Sequence, residues 1–167
     1  MDVCALALGS NLGDRRAALH GAVAGLRAAG FQVHASALYE TPPWGDRDQP
    51  DYLNAAVVVQ SARAEDWLGW ARRLEGAAGR VRDPDRRFGP RTLDVDVIEI
   101  WRDGRPLTQD DGELTLPHPR ARERPFVLVP LAEVAPDREL GALGHLRDLA
   151  RAVRRRPGDL RLVAEDW

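Results

Sequence analysis

Nine residues constrain this chain more than any others: Leu93 to Trp101, Leu-Asp-Val-Asp-Val-Ile-Glu-Ile-Trp. The apolar content reads as a strand, and in a strand side chains two apart share a face. Asp94 and Asp96 therefore sit side by side on one surface, amid Leu93, Val95, Val97, Ile98 and Ile100. Two like charges that close repel unless a cation lies between them. Hard divalent ions such as Mg²⁺ take oxygen ligands, often one or two carboxylates together with substrate phosphates. Directly upstream, Arg87 and Arg91 flank Phe88-Gly89-Pro90, and guanidiniums are planar donors suited to phosphate oxygens. Carboxylates for metal beside guanidiniums for phosphate point to a metal–nucleotide site. The alternative is a solvated edge strand; an Asp-x-Asp alone would favour it, and the arginine loop reverses the order.

A strand carrying a site needs a sheet and a core behind it. The chain has 167 residues, enough for one domain spanning 1–167 with a real core. A net charge of −2 gives no global signal for nucleic acid or membrane, so local clusters must carry any anion binding. Cys4 is the only cysteine; inside the apolar run Val3 to Leu8 it reads as core. No basic segment leads into a long apolar stretch, and no run reaches spanning length. A cytoplasmic monomer is the expectation.

Val3 to Leu8 reads as a buried strand, and Gly9 to Asp14 as a tight turn able to cap a helix over about 14–29. Gly9-Ser10-Asn11-Leu12-Gly13 lacks the Gly-Lys-Ser/Thr ending of a P-loop. Phe31 to Tyr39 is the second strand. Thr41-Pro42-Pro43-Trp44-Gly45 breaks regular structure, as a rigid connector or as a wall against a ligand. Tyr52 to Gln60 alternates cleanly, with Tyr52, Asn54, Ala56 and Val58 on one face. Tyr52 and Asn54 suit a flat heterocycle, or simply a half-buried sheet surface. Ala64 to Ala78 is a helix with Trp67, Trp70, Ala71, Leu74 and Ala78 as its apolar stripe. A charged loop from Arg80 to Phe88 leads to the aspartates; it is expected to order over bound phosphates.

Asp103-Gly104-Arg105 predicts a hairpin turn. Leu114 to Pro119 is extended, and His118 between two prolines is either a surface histidine or a ligand contact. Phe126 to Val134 has helical spacing, with Pro130 placed near its first turn. A C-terminal tail over 143–167 is mostly helical, with a last short strand at Arg161 to Ala164, and carries no evident function. Strands that can pair as hairpins among helices favour an α+β fold.

Six separated motifs then agree in order: Gly9-Ser10-Asn11-Leu12-Gly13, Tyr39-Glu40-Thr41-Pro42-Pro43, Gln49-Pro50-Asp51-Tyr52-Leu53-Asn54-Ala55, Gly79-Arg80-Val81-Arg82, Phe88 to Asp96, and Leu116-Pro117-His118. The chain resembles the hydroxymethyl-dihydropterin pyrophosphokinases of folate biosynthesis, most strongly over 3–137. The resemblance implies a ferredoxin-like α/β sandwich with a mainly antiparallel sheet. It implies diphosphate transfer from ATP to the hydroxymethyl group of 6-hydroxymethyl-7,8-dihydropterin, leaving AMP. It also implies two Mg²⁺ ions at Asp94 and Asp96, with Arg80 and Arg91 as further catalytic positions. Pterin contacts fall on Thr41, Pro42, Pro43, Trp44, Tyr52, Asn54 and Phe126. Nucleotide contacts fall on Glu75, Arg82, Arg87, Arg91, Thr115, His118 and Arg124. The chain departs from the family pattern at Phe88, Glu113 and Pro119.

Two other functions fit parts of the pattern. A nucleic-acid nucleotidyl transferase would add a third acidic strand residue and a basic channel. An RNA-binding module would present several aromatics on adjacent strands, where only Tyr52 is well placed.

Overall fold

The computed structural model describes residues 1–43, 47–81 and 89–167. Trp44, Arg82, Arg87 and Phe88, and with them most of the loop expected to order over phosphates, lie outside the described residues. The chain runs β1 (Asp2–Ser10), α1 (Arg15–Ala28), β2 (Gln32–Ala35), β3 (Leu38–Thr41), β4 (Tyr52–Ser61), α2 (Trp67–Ala77) and β5 (Asp94–Arg102). Three two-residue strands follow, β6 (Arg105–Pro106), β7 (Gln109–Asp110) and β8 (Thr115–Leu116). A 3-10 turn (Ala121–Glu123), α3 (Pro125–Val134), α4 (Leu146–Ala152) and β9 (Arg161–Ala164) complete it.

The main sheet has the order β6-β5-β1-β4-β3-β9, with β2 also on β4, and β7 pairs β8 in a separate ribbon. Every pairing is antiparallel. Taken as one interrupted strand, β2 and β3 complete a β-α-β-β-α-β unit in the order β5-β1-β4-β3, the ferredoxin-like arrangement. The expected α+β class is correct.

β1 and β4 lie in the middle of the sheet and are buried on both faces, which is why their sequences are almost continuously apolar. Cys4, Leu6, Leu8, Leu53, Ala55, Val57 and Val59 pack against Leu19, Val23 and Leu26 of α1 and Trp67, Ala71 and Leu74 of α2. On the other face Val3, Ala5, Ala56 and Val58 meet Val127, Leu128 and Leu131 of α3 and Leu146 of α4. Burying one such side chain is worth about 1.5–3 kcal/mol, so the sheet is anchored from both sides. Asp14 and Asp66 cap α1 and α2, each accepting from a backbone amide in the first turn, a signal of about 1 kcal/mol per helix. The Asp103–Gly104 turn has φ of 51° and 83°, the left-handed pair that a two-residue hairpin needs.

Three expectations change. The strand expected over 31–39 is two strands, broken at Ser36 and Ala37. There the Ser36 hydroxyl accepts from Ala56 N at 2.9 Å and Ala37 N donates to Glu133 of α3 at 2.9 Å, so partners distant in sequence replace ladder bonds. Pro130 is not in the first turn of α3; Pro125 takes the first position and Pro130 lies inside, where it removes one intrahelical donor. The tail over 143–167 is helical only at 146–152; residues 161–164 form β9, a strand of the main sheet.

A bulge in β5 shapes the sheet below the aspartates. Ala5 pairs with Glu99 and Leu6 with Val97, leaving Ile98 as the extra residue. Past it, Glu99 is fully buried and accepts from Ile100 N at 3.0 Å and from Gly141 N at 2.7 Å. Gly141 has φ 50°, and a Cβ there would stand 2.9 Å from Pro117, so this loop takes no larger residue. Burial pushes the Glu99 carboxyl up to about 7, against a partial offset from the two amides. A carboxyl raised on folding favours the proton-bound native state, so its contribution is present below the unfolded value and is lost as pH rises towards about 7. Wild type should therefore lose stability relative to Glu99→Gln between about pH 5 and about pH 7 and run parallel to it above. Urea unfolding across that range checks this, and parallel curves throughout would remove Glu99 from the pH dependence.

Candidate active site

A cleft of about 570 Å³ opens over the β1–β5 end of the sheet. Its floor is built by alternation. Asp94 and Asp96 point into the cleft while Leu93, Val95 and Val97 point into the core beneath α1 and α2. A strand gripped through its apolar face holds its carboxylates on rigid backbone.

Basic groups stand on these carboxylates. Arg80 Nη1 donates to Asp94 Oδ1 at 2.6 Å, and Arg91 Nη1 lies 3.0 Å from the same oxygen. Arg124 Nη1 donates to Asp96 Oδ2 at 3.2 Å, with His118 Nε2 at 4.0 Å. Desolvation in the cleft and the neighbouring Asp94 charge raise the Asp96 carboxyl, with His118 and Arg124 opposing. Burial lowers His118, with Asp96 opposing. Desolvation raises the Tyr52 phenol.

Glu75 holds the arginine side together. It is buried on α2, accepts from Val95 N at 3.0 Å and pairs with Arg80. One carboxylate thus fixes the strand's start and a guanidinium above it. At the far side Asn54 Nδ2 donates to the Thr41 hydroxyl at 2.6 Å, both residues being buried. Gly9 lies beneath them; a Cβ there would be 3.1 Å from Asn54 Oδ1 and 3.4 Å from Tyr52 Cδ1. Phe126, at the start of α3, also lines the cleft, with the Arg124 guanidinium 5.7 Å from its ring centroid.

Of the residues expected from sequence, Thr41, Pro42, Tyr52, Asn54, Glu75, Arg80, Arg91, Asp94, Asp96, Thr115, His118, Arg124 and Phe126 all line this cleft. Pro43 is described but is not among its lining residues. Glu113 and Pro119, two of the departures, do line it.

Two residues were missed. Gly9 reads from sequence as a turn residue; what marks it is the close approach of Asn54 and Tyr52, which is tertiary. Asn11, buried, clamps three segments. Its Oδ1 accepts from Arg91 N at 2.9 Å, its own N donates to Arg91 O at 3.1 Å, and its Nδ2 reaches Gln49 Oε1 at 2.9 Å and Pro50 O at 3.0 Å.

Among the described residues no group of three or more His, Cys, Asp or Glu side chains could hold a metal. Two carboxylates on one face of a strand nevertheless fit Mg²⁺, which commonly binds through one or two carboxylates and fills its sphere with water and substrate phosphate.

Comparison with known proteins decides the family. A family model for 7,8-dihydro-6-hydroxymethylpterin-pyrophosphokinase matches residues 5–136. The chain belongs to this family. It is 50% identical over 139 residues to the 2-amino-4-hydroxy-6-hydroxymethyldihydropteridine pyrophosphokinase of Methylorubrum extorquens, covering 81% of this chain and 84% of that one. It is 41% identical over 155 residues to the protein of that name from Mycobacterium tuberculosis, covering 89% and 80%. Among solved structures, an HPPK-DHPS in complex with substrates superposes with a TM-score of 0.61 at 10% identity, covering 91% of this chain and 45% of that one. Plasmodium falciparum HPPK-DHPS wild type with SDX-DHP gives 0.59 at 13%, covering 90% and 43%. This chain spans under half of those two solved chains, and at such identity they show the fold.

The double duty of Glu75 gives a test. Glu75→Ala should lower unfolding stability by on the order of 1–3 kcal/mol, because the buried Val95 amide loses its acceptor. Denaturant melts of the variant measure this. Wild-type stability would mean that Val95 and Arg80 find other partners at no cost.

Proposed function

We propose that the cleft binds ATP on its arginine side and the pterin on its Thr41–Asn54 side, with the reacting atoms above Asp94 and Asp96. The activity is pyrophosphoryl transfer from ATP to hydroxymethyldihydropterin in folate biosynthesis, as for the family. The observation that carries the residue roles is the placement of both aspartates in one cleft with Arg80, Arg91, His118 and Arg124 and with Tyr52, Asn54 and Phe126.

In the proposed reaction the hydroxymethyl oxygen bonds to the β-phosphorus of ATP, the bond from that phosphorus to the α-phosphate bridging oxygen breaks so that AMP leaves with the electron pair, and the hydroxyl proton passes to solvent water. Phosphoryl-type transfer demands positioning and charge neutralisation more than covalent help, which agrees with the full burial of Cys4. Tyr52 and Phe126 stack on the pterin ring, and Asn54, oriented by Thr41, reads its edge. Pro42 lines that wall, and the family resemblance assigns Pro43 and Trp44 to it as well. Arg80 and Arg91 stabilise charge that builds on the transferring group. Arg82, Arg87, Arg124, His118 and Thr115 hold the nucleotide, and Glu75 orients Arg80. Two Mg²⁺ at Asp94 and Asp96 would neutralise the phosphates and align attacking and leaving oxygens.

We read the working unit as a cytoplasmic monomer of one domain spanning 1–167. Support for one domain is that β9, near the C-terminal end, joins the main sheet. No helix of the described residues is long and apolar enough to cross a membrane.

Purified protein given Mg·ATP and hydroxymethyldihydropterin should produce AMP and the pterin diphosphate; without the pterin, AMP should not accumulate. Asp94→Ala and Asp96→Ala should each lose most of this turnover, by roughly a hundredfold or more, while circular dichroism stays native. Near-normal turnover in either folded variant would withdraw the metal assignment.

Gly9→Ala tests the pterin side. The methyl would press on an Asn54 side chain already fixed by Thr41, and shifting it forfeits about one hydrogen bond, on the order of 1 kcal/mol. Calorimetry should show weaker pterin binding and unchanged binding of an ATP analogue; equal losses for both would argue against a dedicated pterin side.

A further inference from the structure

Behind the cleft, on the opposite face of the sheet, lies an ionic brace. Arg15, the first residue of α1, does not line the cleft. Its Nη2 donates to Glu40 Oε2 at 2.8 Å and its Nη1 donates to the Asp51 carbonyl at 2.8 Å. Glu40 and Asp51 stand at the two ends of the connection between β3 and β4. Glu40 precedes Thr41, and Asp51 precedes Tyr52. Strand alternation turns Glu40 away from the face of Thr41. Its second oxygen, Oε1, accepts from Arg161 of β9, which faces Glu40 in the ladder. Arg161 and Arg15 hold the Glu40 carboxyl below its ordinary value.

β3 has four residues, and only Tyr39, Glu40 and Thr41 pair with β4. A ladder that short needs support at its end, where the Thr41–Asn54 contact lies. A guanidinium suits the task because its fork reaches two acceptors in fixed directions, which the point charge of a lysine does not.

We propose that Arg15 is a positioning residue: with Glu40 and Arg161 it ties both ends of the β3–β4 connection together and thereby fixes Thr41, Asn54 and Tyr52 for the ring they contact. This rests on the assignment of those residues to the pterin. It gives β9, which lies beyond the matched family region, a role in the site.

Steady-state kinetics of the full chain, with each substrate varied in turn, test the brace, alongside amide exchange at Glu40, Thr41 and residues 51–54. Arg15→Ala should raise the pterin KM roughly three- to tenfold, with the ATP KM and kcat within about twofold, as expected for lost ground-state positioning on one side. Exchange at those amides should quicken. Arg15→Lys should keep the wild-type melting temperature yet retain the pterin defect. Unchanged pterin KM and exchange in Arg15→Ala would overturn the proposal, as would parallel rises in both KM values with a fall in melting temperature. Full rescue by lysine would also overturn it. Faster exchange in Arg15→Ala beside a wild type that makes no pterin diphosphate would instead fault the assigned reaction and leave the brace standing.

Discussion

Two carboxylates stand two residues apart on one face of β5, and their mutual repulsion organises the structure around them. At such spacing each unit of charge raises the cost of ionising the other, and the raised Asp96 carboxyl registers it. Relief comes from Arg80 and Arg91 on Asp94 and from Arg124 and His118 on Asp96. These groups arrive from the end of α2, from the loop before β5, and from the segment leading into α3. The chain has no lysine, and all 24 of its permanently charged basic side chains are arginine. A guanidinium stays charged at any working pH and matches phosphate as well as carboxylate. The cations that neutralise the aspartates are therefore the ones suited to a triphosphate.

Rigidity is the second requirement. A site of this kind works only if its groups hold position within a fraction of an ångström. The aspartates inherit that precision from Val95 and Val97, locked beneath α1 and α2, and from Glu75, which bonds the backbone of Val95. Asn11 does the same for Arg91 through two backbone bonds. Backbone-directed side-chain bonds recur around the cleft because loops have no ladder of their own to hold them.

What could be read from sequence follows the range of the interactions. The aspartate pair, the alternation of β4, the stripes of α1 and α2 and the Asp-Gly turn are local patterns, and all appear as expected. The break at Ser36 was not legible, because it is made by Ala56 and Glu133. Gly9 and Asn11 looked like turn residues, because their partners lie more than 35 positions away. The Asp66 cap was legible in principle: an aspartate directly before an apolar-periodic run marks a helix start, and α2 begins after it rather than at Ala64. β9 was visible as a strand, but not its place at the edge beside β3.

Two other carboxylates show how this fold decides which acids stay ionised. Asp2 and Glu99 are both fully buried. Asp2 receives Arg102 through two bonds, of 2.8 and 3.0 Å, and the Arg102 guanidinium holds its carboxyl below the ordinary value despite burial. Among the described residues Glu99 has two backbone amides and no cation, and burial drives it up to about 7. Neither is exposed and the directions are opposite: the guanidinium is the largest cause at Asp2, desolvation the largest at Glu99. Amides offer dipoles that favour the anion only in part, whereas a guanidinium cancels its field. In the cleft, guanidiniums meet Asp94 and Asp96. At the bulge, where nothing needs the charge, the chain supplies amides alone, and the acid there is left to respond to pH.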